Sequence, residues 1–234
     1  MAAGTGTRLE DKTESLPKTL IPLNGQPILS YILRGWKHYS PPLDFVVIGG
    51  FCIDKLKNYL NEAAPNARVI ENPEYKKGNL KTALCARSHI SGSVCFVNAD
   101  HVYPKKILDK LMQDPLEQIT AVCDFDRPLT NDDMKMALRP DGSLKEMYKT
   151  LTSWNGGYIG MTLIPASQLS TYWTMADQVL EKQGEMINVE MVLNELVKAG
   201  ETVKILDASG SLWIEVDTAE DLKNAEQKID QIKI

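Results

Sequence analysis

The stretch LDFVVIGGFCIDKLKNYLNEA (residues 43–63) decides the fold class, because it joins two different hydrophobic patterns. Its first part, LDFVVIGG (43–50), is a continuous apolar run that ends in glycines, as is typical of a buried parallel strand. Its second part repeats apolar residues at helical spacing, with Ile53, Leu56 and Leu60 on one face. A strand that leads into an amphipathic helix is the repeating unit of an α/β protein.

The same alternation continues towards the middle of the chain. ARVIEN (67–72) predicts another short strand, LKTALCARSHI (80–90) a helix, and SVCFVNAD (93–100) a third strand. Pro104 is well placed to open a helix from about Lys105. This rhythm predicts an α/β, Rossmann-like fold, with a mainly parallel mixed sheet flanked by helices on both faces.

From about residue 118 the strand-like runs follow one another more closely, and RPDGSL (139–144) has the composition of a hairpin turn. Two helices are predicted at about 166–182 and 188–199, and a final helix begins at Thr218, where Asp221 completes a capping-box pattern. Without an internal repeat or a linker, residues 1–234 are predicted to form a single domain. The strand-like runs are ITAVCDF (119–125), KMALRP (135–140), SLKEMYK (143–149), GGYIGMTLI (156–164), TVKIL (202–206) and LWIEV (212–216).

Composition is that of an ordinary soluble globular protein, since 43% of the 234 residues are apolar and 24% are charged. The net charge of −5 argues against nucleic acid as the main partner. No apolar run approaches the roughly 20 residues of a membrane helix, and the N-terminus lacks the apolar core of a secretory signal. The four cysteines are scattered without zinc spacing, which favours small buried side chains in a reducing cytoplasm.

The opening stretch MAAGTGTRLEDKTESLPKTL (1–20) combines features of a phosphate-binding loop. Gly4 and Gly6 let the backbone approach a ligand closely, and Arg8 suits bidentate contact with phosphate. Lys18 follows a proline whose fixed φ stiffens its approach. The glycines by themselves fit a flexible N-terminus equally well, and their spacing matches neither the Walker loop nor the Rossmann fingerprint.

Two carboxylates follow apolar strands far along the chain. Asp100 ends SVCFVNAD, and Asp217 follows LWIEV directly before the predicted final helix. Ligands bind at the carboxyl ends of strands in open α/β sheets, and carboxylates suit Mg²⁺, which completes its shell with phosphates and water. Each residue also has a structural interpretation: Asp100 would cap the helix near Pro104, and Asp217 would be an ordinary strand-to-helix junction. His101, a single histidine beside Asp100, is interpreted as structural.

Four motifs occur in order from residue 2 to about 226: AAGTGTRL, PKTLIPLNGQPIL, NADHVY and WIEVDTAEDL. In this combination the chain resembles the nucleotidyltransferase family that makes activated sugars and alcohols, the NDP-sugar pyrophosphorylases and their cytidylyltransferase relatives. ENPEYKKGNLKTAL (71–84), DDMKMALRPDGSLKEMYKTL (132–151) and GGYIGM (156–161) are similar to the cytidylyltransferases that act on small phosphorylated acceptors such as phosphocholine, inositol phosphate or phosphonates. The resemblance implies a nucleotide-diphospho-sugar transferase-like fold, with a nucleotide-binding half (about 1–117) and an acceptor-binding half (about 118–234).

The resemblance also implies that two loops bind the nucleotide. The first would contact the base or ribose through its backbone and wrap the phosphates, and the second would lie over the pyrimidine. The residues with this implied role are Ala2, Ala3, Gly4, Gly6, Thr7, Gly78 and Asn79.

Charged residues have a second set of implied roles. Arg8 would hold the leaving β,γ-phosphates, and Lys18 would balance charge at the α-phosphate. Lys149 matches the family lysine that reaches the acceptor phosphate, although a solvated lysine after a strand is an equal alternative. Asp100 and Asp217 would hold Mg²⁺.

The implied reaction is the transfer of CMP from CTP to a small phosphorylated acceptor, with release of pyrophosphate. A phosphate oxygen is already ionised near neutral pH, so no general base is needed, and catalysis consists of positioning and charge stabilisation. Two alternatives are kept: a sugar-1-phosphate uridylyl- or thymidylyltransferase, and a catalytically silent nucleotide-binding domain. The expected partners are the nucleotide and the acceptor, without nucleic acid or membrane, and a homodimer is left open.

The sequence departs from the family pattern at two places. Met1 stands where about five apolar residues should form the first strand, so either the native start lies upstream or the sheet lacks that strand's beginning. Gly157 stands where an acidic residue is expected before the aromatic residue, which leaves acceptor recognition open. Tyr148, Trp154 and Tyr158 would form either a wall for a cationic headgroup or part of the core, and the core is favoured.

Overall fold

The structure is a computed structural model that describes residues 1–4, 6, 8–9, 15–39 and 42–234. The chain forms two compact units, which are described separately. The first unit comprises residues 1–76, 98–112 and 211–234, and the second comprises residues 77–97 and 113–210. The chain therefore enters each unit more than once, and the single domain with halves meeting at residues 117 and 118 stays a prediction.

The strands and helices alternate along much of the chain. The strands are β1 (Pro22–Leu23), β2 (Gln26–Pro27), β3 (Val46–Gly49), β4 (Arg68–Glu71), β5 (Val94–Val97), β6 (His101–Val102), β7 (Thr120–Asp124), β8 (Lys135–Leu138), β9 (Leu144–Tyr148), β10 (Gly156–Ile164), β11 (Lys204–Asp207) and β12 (Ile214–Glu215). The α-helices are α1 (Ile28–Trp36), α2 (Ile53–Ala63), α3 (Asn79–Leu84), α4 (Lys105–Met112), α5 (Leu169–Gln183), α6 (Glu190–Lys198) and α7 (Ala219–Lys228), and 3-10 turns are found at Lys18–Leu20, Arg87–His89, Ala166–Gln168 and Ile229–Gln231.

The described strands of the first unit form three short pairs. β3 and β4 are parallel, as their apolar sequences predict, whereas β1–β2 and β6–β12 are antiparallel. β1, β2 and α1 were not predicted, although Asn24-Gly25 is a strong hairpin signal. Both residues adopt positive φ (45° and 75°), as the two-residue turn that matches the twist of a hairpin requires.

The opening residues of the chain are anchored in the first unit. Ala2 forms a parallel bridge with Gly49, and its N–H donates to the carbonyl of Ile48 (2.8 Å). On its other side, the Met1 carbonyl accepts a hydrogen bond from Ala99 N–H (3.0 Å). Backbone hydrogen bonds on both sides are those of a strand position inside a sheet, so Met1 and Ala2 do not form a loose tail.

The first unit has an apolar core formed by segments that are distant in sequence. It takes residues from the opening loop, the β1–β2 hairpin, α1, the β6–β12 pair and α7, so these elements are packed against one another. Its buried members are Leu9, Ile21, Leu23, Ile28, Tyr31, Val102, Ile214, Val216, Leu222, Ala225, Ile229 and Ile232.

The second unit is organised around β10, whose nine residues are all buried. The sheet order is β11-β7-β10-β8-β9, and β5 also pairs with β10. β10 is antiparallel to β5, β7 and β8, and β11 joins β7 in parallel. The predicted α/β class with a mixed sheet is confirmed, but antiparallel pairs outnumber parallel ones among the described strands. The cause is the central β10, which runs against three neighbours.

Helix α6 is fastened to the edge strand β9 by a buried asparagine. The Asn194 side chain accepts a hydrogen bond from Met147 N–H (2.8 Å) and donates one to the Met147 carbonyl (2.7 Å). Both backbone groups of Met147 are therefore satisfied by a side chain instead of a further strand. This is one way in which the edge of a sheet is closed against pairing with another chain.

We expect Asn194→Ala to lower the free energy of unfolding by about 2–4 kcal/mol, because it leaves a buried N–H and a buried carbonyl without partners. Urea unfolding followed by circular dichroism measures the change. Asn61→Ala, an exposed change on α2, is the control. Equal stability of the two variants would contradict the anchoring role of Asn194.

Candidate active site

The β6–β12 pair brings two distant carboxylates to the same place. Asp100 immediately precedes β6, and Asp217 lies two residues beyond the end of β12. Because the strands are antiparallel, the start of β6 lies beside the end of β12, and Val216 N–H extends the ladder by donating to the Asp100 carbonyl (2.9 Å). Asp217 is held by the next helix as well, since its N–H donates to Asp221 of the capping box at Thr218 (3.2 Å).

Lys18 lies between the two carboxylates. Its Nζ donates to Asp100 Oδ2 (2.6 Å) and to Asp217 Oδ1 (2.7 Å), while Arg8 pairs with the other oxygen of Asp217. The Lys18 side chain is only 8% exposed, compared with 54% for Arg8, so the lysine is the inner cation and the arginine the outer one. We refer to Arg8, Lys18, Asp100 and Asp217 as the charge cluster.

The opposite charges of the cluster stabilise one another in their ionised forms. Burial alone lowers the pKa of Lys18, but the charges of Asp100 and Asp217 and their hydrogen bonds outweigh it, so the pKa of Lys18 is raised. Burial likewise favours the neutral form of Asp100, but His101 and Lys18 outweigh it and hold the pKa of Asp100 well below its usual range. Both groups are therefore ionised at neutral pH.

His101 is a further neighbour of Asp100. Its Nδ1 lies 2.6 Å from Asp100 Oδ1, and the side chain is 5% exposed. Burial lowers the pKa of His101, but the charge of Asp100 outweighs this and the pKa is raised. Sequence analysis interpreted His101 as structural, and its contact with a carboxylate of the cluster was missed. The adjacency of Asp100 and His101 in NADHVY was the available signal.

The two carboxylates fit a divalent cation. Oxygens of Asp100 and Asp217 lie within 2.7 Å of one atom, Lys18 Nζ, so they converge on a single position for a positive charge. Within the described ranges, no group of three or more His, Cys, Asp and Glu side chains that could hold a metal ion is found. A two-carboxylate set suits Mg²⁺, which takes one or two carboxylates and keeps phosphates and water as its other ligands.

The glycines of the opening loop differ in what the protein requires of them. Gly6 has a φ of 65°, in the region that favours glycine, and its carbonyl accepts a hydrogen bond from Leu9 N–H (2.8 Å) in the turn that leads to Arg8. A side chain at Gly4 would meet no described atom within 4 Å, so packing does not explain this glycine. The predicted phosphate contact at Thr7 falls outside the described residues.

Gly78 and Asn79, predicted to contact the base, have structural contacts in the second unit. A Cβ on Gly78 would lie 2.0 Å from the Ile187 carbonyl oxygen, so glycine is required there for close packing. The Asn79 side-chain oxygen accepts a hydrogen bond from Val189 N–H (2.8 Å). These contacts hold the start of α3 against the segment before α6, and the role of both residues at the pyrimidine stays a prediction.

Lys149 is exposed at the end of β9 in the second unit, and its carbonyl accepts a hydrogen bond from the buried Lys135 Nζ (2.9 Å). Its predicted contact with the acceptor phosphate stays a prediction. A residue that sequence analysis missed interacts electrostatically with it: Glu190, at the start of α6, is 6% exposed. Among the described residues none donates a hydrogen bond to Glu190 Oε2. Burial raises the pKa of Glu190, and Lys149 offsets only part of this.

The structure gives a reason for the unexpected Gly157. A Cβ at this position would lie 2.7 Å from Leu129 Cδ2, so a larger residue here would require the Leu129 side chain to move. The three aromatic residues nearby do not share one environment. Tyr158 is buried and its hydroxyl is bonded to Thr162 Oγ1 (2.8 Å), whereas Trp154 is 43% exposed and lies under Lys135 Nζ. The preferred core interpretation therefore holds for Tyr158 and not for Trp154.

Comparison with known proteins places the chain among the NTP transferases. Residues 1–147 match the model of the MobA-like NTP transferase domain, and the chain belongs to this family. Its fold is shared by the inositol-1-phosphate CTP transferase from T. maritima, with a TM-score of 0.81 at 20% identity over all of this chain and 95% of that one. The CTP:phosphocholine cytidylyltransferase from Streptococcus pneumoniae gives 0.78 at 21% identity, over 97% and 96% of the two chains. The predicted fold is confirmed.

Curated relatives extend the similarity over almost the whole chain. A bifunctional IPC transferase and DIPP synthase from Aquifex aeolicus is 25% identical over 97% of this chain and 50% of its own length. A CTP:phosphoglutamine cytidylyltransferase from Campylobacter jejuni is 25% identical over 95% of this chain and 96% of its own length. The chain thus spans about half the length of the first of these relatives and nearly all of the second. None of the described helices is long and apolar enough to span a bilayer.

We expect Lys18→Met to lower the free energy of unfolding by up to about 3 kcal/mol, because it leaves two neighbouring carboxylates without their shared cation. Thermal or urea unfolding at neutral pH measures the loss. Adding Asp100→Asn to the same protein should restore part of it by removing one of the two charges. The matched control is Lys105→Met, which breaks an exposed i,i+4 pair with Asp109 and should cost at most about 0.5 kcal/mol.

We expect Glu190→Gln to gain stability relative to the unaltered protein as the pH rises. Because the folded-state pKa of Glu190 is raised, the folded protein binds more protons than the unfolded chain above the ordinary pKa of glutamate. Its free energy of unfolding therefore falls with rising pH until the folded-state pKa is passed, and Gln removes this dependence. Unfolding curves from pH 4.5 to 8 test this, with exposed Glu181→Gln as the control. A stability difference independent of pH would contradict the prediction.

Proposed function

We propose that this chain transfers CMP from CTP to a small phosphorylated acceptor and releases pyrophosphate. The observation that carries the proposal is the charge cluster, in which two cations of the opening stretch converge with two carboxylates from far along the chain. A triphosphate is bound by cations such as Arg and Lys, and carboxylates are the ligands that Mg²⁺ prefers, so a cluster of this composition suits both. The choice of CTP and of a phosphorylated acceptor is supported by the curated relatives named for IPC transfer and for phosphoglutamine cytidylyl transfer.

The residues of the chain act by binding and by charge in this proposal. Arg8, the more exposed cation, binds the leaving phosphates, and Lys18 neutralises the charge that develops near the α-phosphate. The attacking phosphate oxygen is already ionised at neutral pH, so the chain supplies no proton acceptor. Asp100 and Asp217 hold Mg²⁺, which when bound supplies Lewis-acid stabilisation of the phosphate oxygens. Lys149 is proposed to bind the acceptor phosphate, and Gly78 and Asn79 the pyrimidine.

The contacts of Lys18 and Arg8 support a role for both carboxylates. CTP and the acceptor are both polyanions and repel each other. Bringing them together therefore requires cations that the protein holds in fixed positions. Lys18 is held between its two carboxylates before any ligand arrives, so its ammonium group is already at the cluster when the polyanions bind. Arg8 has a larger exposed fraction than Lys18, and so is the cation more easily turned towards a ligand.

A second function within the same family is uridylyl or thymidylyl transfer to a sugar 1-phosphate, because the fold and the charge cluster would serve any nucleoside triphosphate. A catalytically silent nucleotide-binding domain is disfavoured by the intact charge cluster. The cytoplasmic location and a homodimer stay predictions.

Pyrophosphate release, measured with each of CTP, UTP, dTTP and ATP against phosphocholine, inositol phosphate, a phosphonate and a sugar 1-phosphate, tests the proposal. We expect activity with CTP and one of the first three acceptors. A strong preference for UTP or dTTP with a sugar phosphate would replace the proposal by the second function.

Asp100→Asn should lower the rate by at least about 100-fold, the scale for the loss of one strong transition-state stabiliser. Asp109→Asn, a change of a half-buried aspartate on α4 that lies outside the charge cluster, is the control and should leave the rate unchanged. Equal turnover of Asp100→Asn and the unaltered protein would favour the silent binding domain.

A further inference from the structure

The orientation of the His101 ring is set by more contacts than filling the core alone would require. It is the first residue of β6 and lies directly opposite Glu215 of β12 in the antiparallel register. The ring of Trp213 stacks on it, with centroids 5.6 Å apart and planes within 1°, and the ring of Tyr103 stacks at 5.6 Å and 23°. Tyr103, which directly follows β6, and Trp213, which directly precedes β12, therefore help to set the plane of the imidazole.

The polar edge of the ring is directed at the charge cluster. His101 Nδ1 lies 2.6 Å from Asp100 Oδ1, and Nε2 lies 3.9 Å from Glu215 Oε2, which is too long for a hydrogen bond. A bond from Nδ1 to a carboxylate requires the proton to be on Nδ1. The direction of donation is therefore from His101 to Asp100.

The two oxygens of Asp100 consequently have different partners. Oδ1 accepts from His101, while Oδ2 accepts from Lys18 at the position where the oxygens of Asp100 and Asp217 converge. A carboxylate held by one oxygen cannot rotate freely about its Cβ–Cγ bond. Its second oxygen is thereby aimed at the cation position.

We propose that His101 is a positioning residue, which holds Asp100 Oδ1 so that Oδ2 faces the cation that the cluster binds. The inference rests on the proposed function of Asp100 as a metal ligand. Groups that hydrogen-bond to metal ligands orient them, and their loss typically weakens metal affinity or activity by about 10- to 100-fold. In this assignment His101 acts through Asp100 and does not itself contact nucleotide or metal.

Two substitutions separate positioning from core filling. His101→Phe keeps a ring beside Trp213 and Tyr103 but removes the donor to Asp100. His101→Asn removes the ring but places an amide N–H₂ close to the position of Nδ1. Positioning predicts that the Phe variant loses metal affinity and that the Asn variant recovers most of the loss, even if the Asn variant is the less stable of the two. Core filling predicts the reverse order.

The measurement is a Mn²⁺ titration of the CTP-loaded protein without acceptor, followed by electron paramagnetic resonance, together with thermal unfolding of each variant. Asp100→Asn gives the Mn²⁺ affinity that remains when the ligand itself is lost. Glu215→Gln, which changes the residue nearest the other ring nitrogen, is the control and should change the affinity little. The Mg²⁺ concentration for half-maximal pyrophosphate release is a second readout. We expect an affinity loss of about 10- to 100-fold in the Phe variant.

The outcomes distinguish the inference from the function on which it rests. If the unaltered protein binds Mn²⁺ no better than Asp100→Asn, the metal role of the cluster is wrong and the inference falls with it. Suppose instead that the unaltered protein binds Mn²⁺ better than Asp100→Asn. If the Phe variant then binds Mn²⁺ as well as the unaltered protein, or the Asn variant binds it no better than the Phe variant, only the positioning role is wrong. Should the Phe variant not fold, His101→Gln replaces it, because its amide reaches the Nε2 side and leaves Asp100 Oδ1 without a donor.

Discussion

The first unit depends on one buried ammonium group placed between two carboxylates. Lys18 is separated in sequence by 82 residues from Asp100 and by 199 from Asp217, yet its Nζ is within hydrogen-bonding distance of both. Without the lysine, two adjacent carboxylates would repel each other in partly buried surroundings. With it, the opposite charges hold the start of the chain, the β6–β12 pair and the junction before α7 together.

The apolar core lowers the entropy cost of bringing the charged residues together, because their sequence neighbours are core residues. Leu9 follows Arg8, Val102 follows closely on Asp100, and Val216 directly precedes Asp217; all three are fully buried in one cluster. Hydrophobic burial thus fixes the backbone of each segment, and the charges need only order their own side chains. The same arrangement would place cationic side chains for phosphate and carboxylates for a metal within one site.

Sequence patterns found most of the fold, and the exceptions have physical causes. The apolar runs predicted β3, β4, β5 and β7 to β12, and the capping box at Thr218 and Asp221 was confirmed. The hairpin before α1 was missed, although the Asn24-Gly25 pair predicts a two-residue hairpin turn. The expectation of mainly parallel pairing failed around β10, because strand direction is set by which strands become neighbours. A hydrophobic run contains no information on its neighbours.

The sequence by itself determined the local elements, the family, and the residue types of the cluster, because periodicity, glycine spacing and strand-end carboxylates are local chemical facts. Tertiary structure alone decided that Lys18 lies between the two carboxylates, that the Leu129 side chain packs where a Cβ at residue 157 would lie, and that among the described residues none donates a hydrogen bond to the buried Glu190 Oε2. It also decided that His101 faces Asp100. Each of these depends on which distant side chains share a volume, and that follows from packing of the whole unit, which no short stretch of sequence encodes.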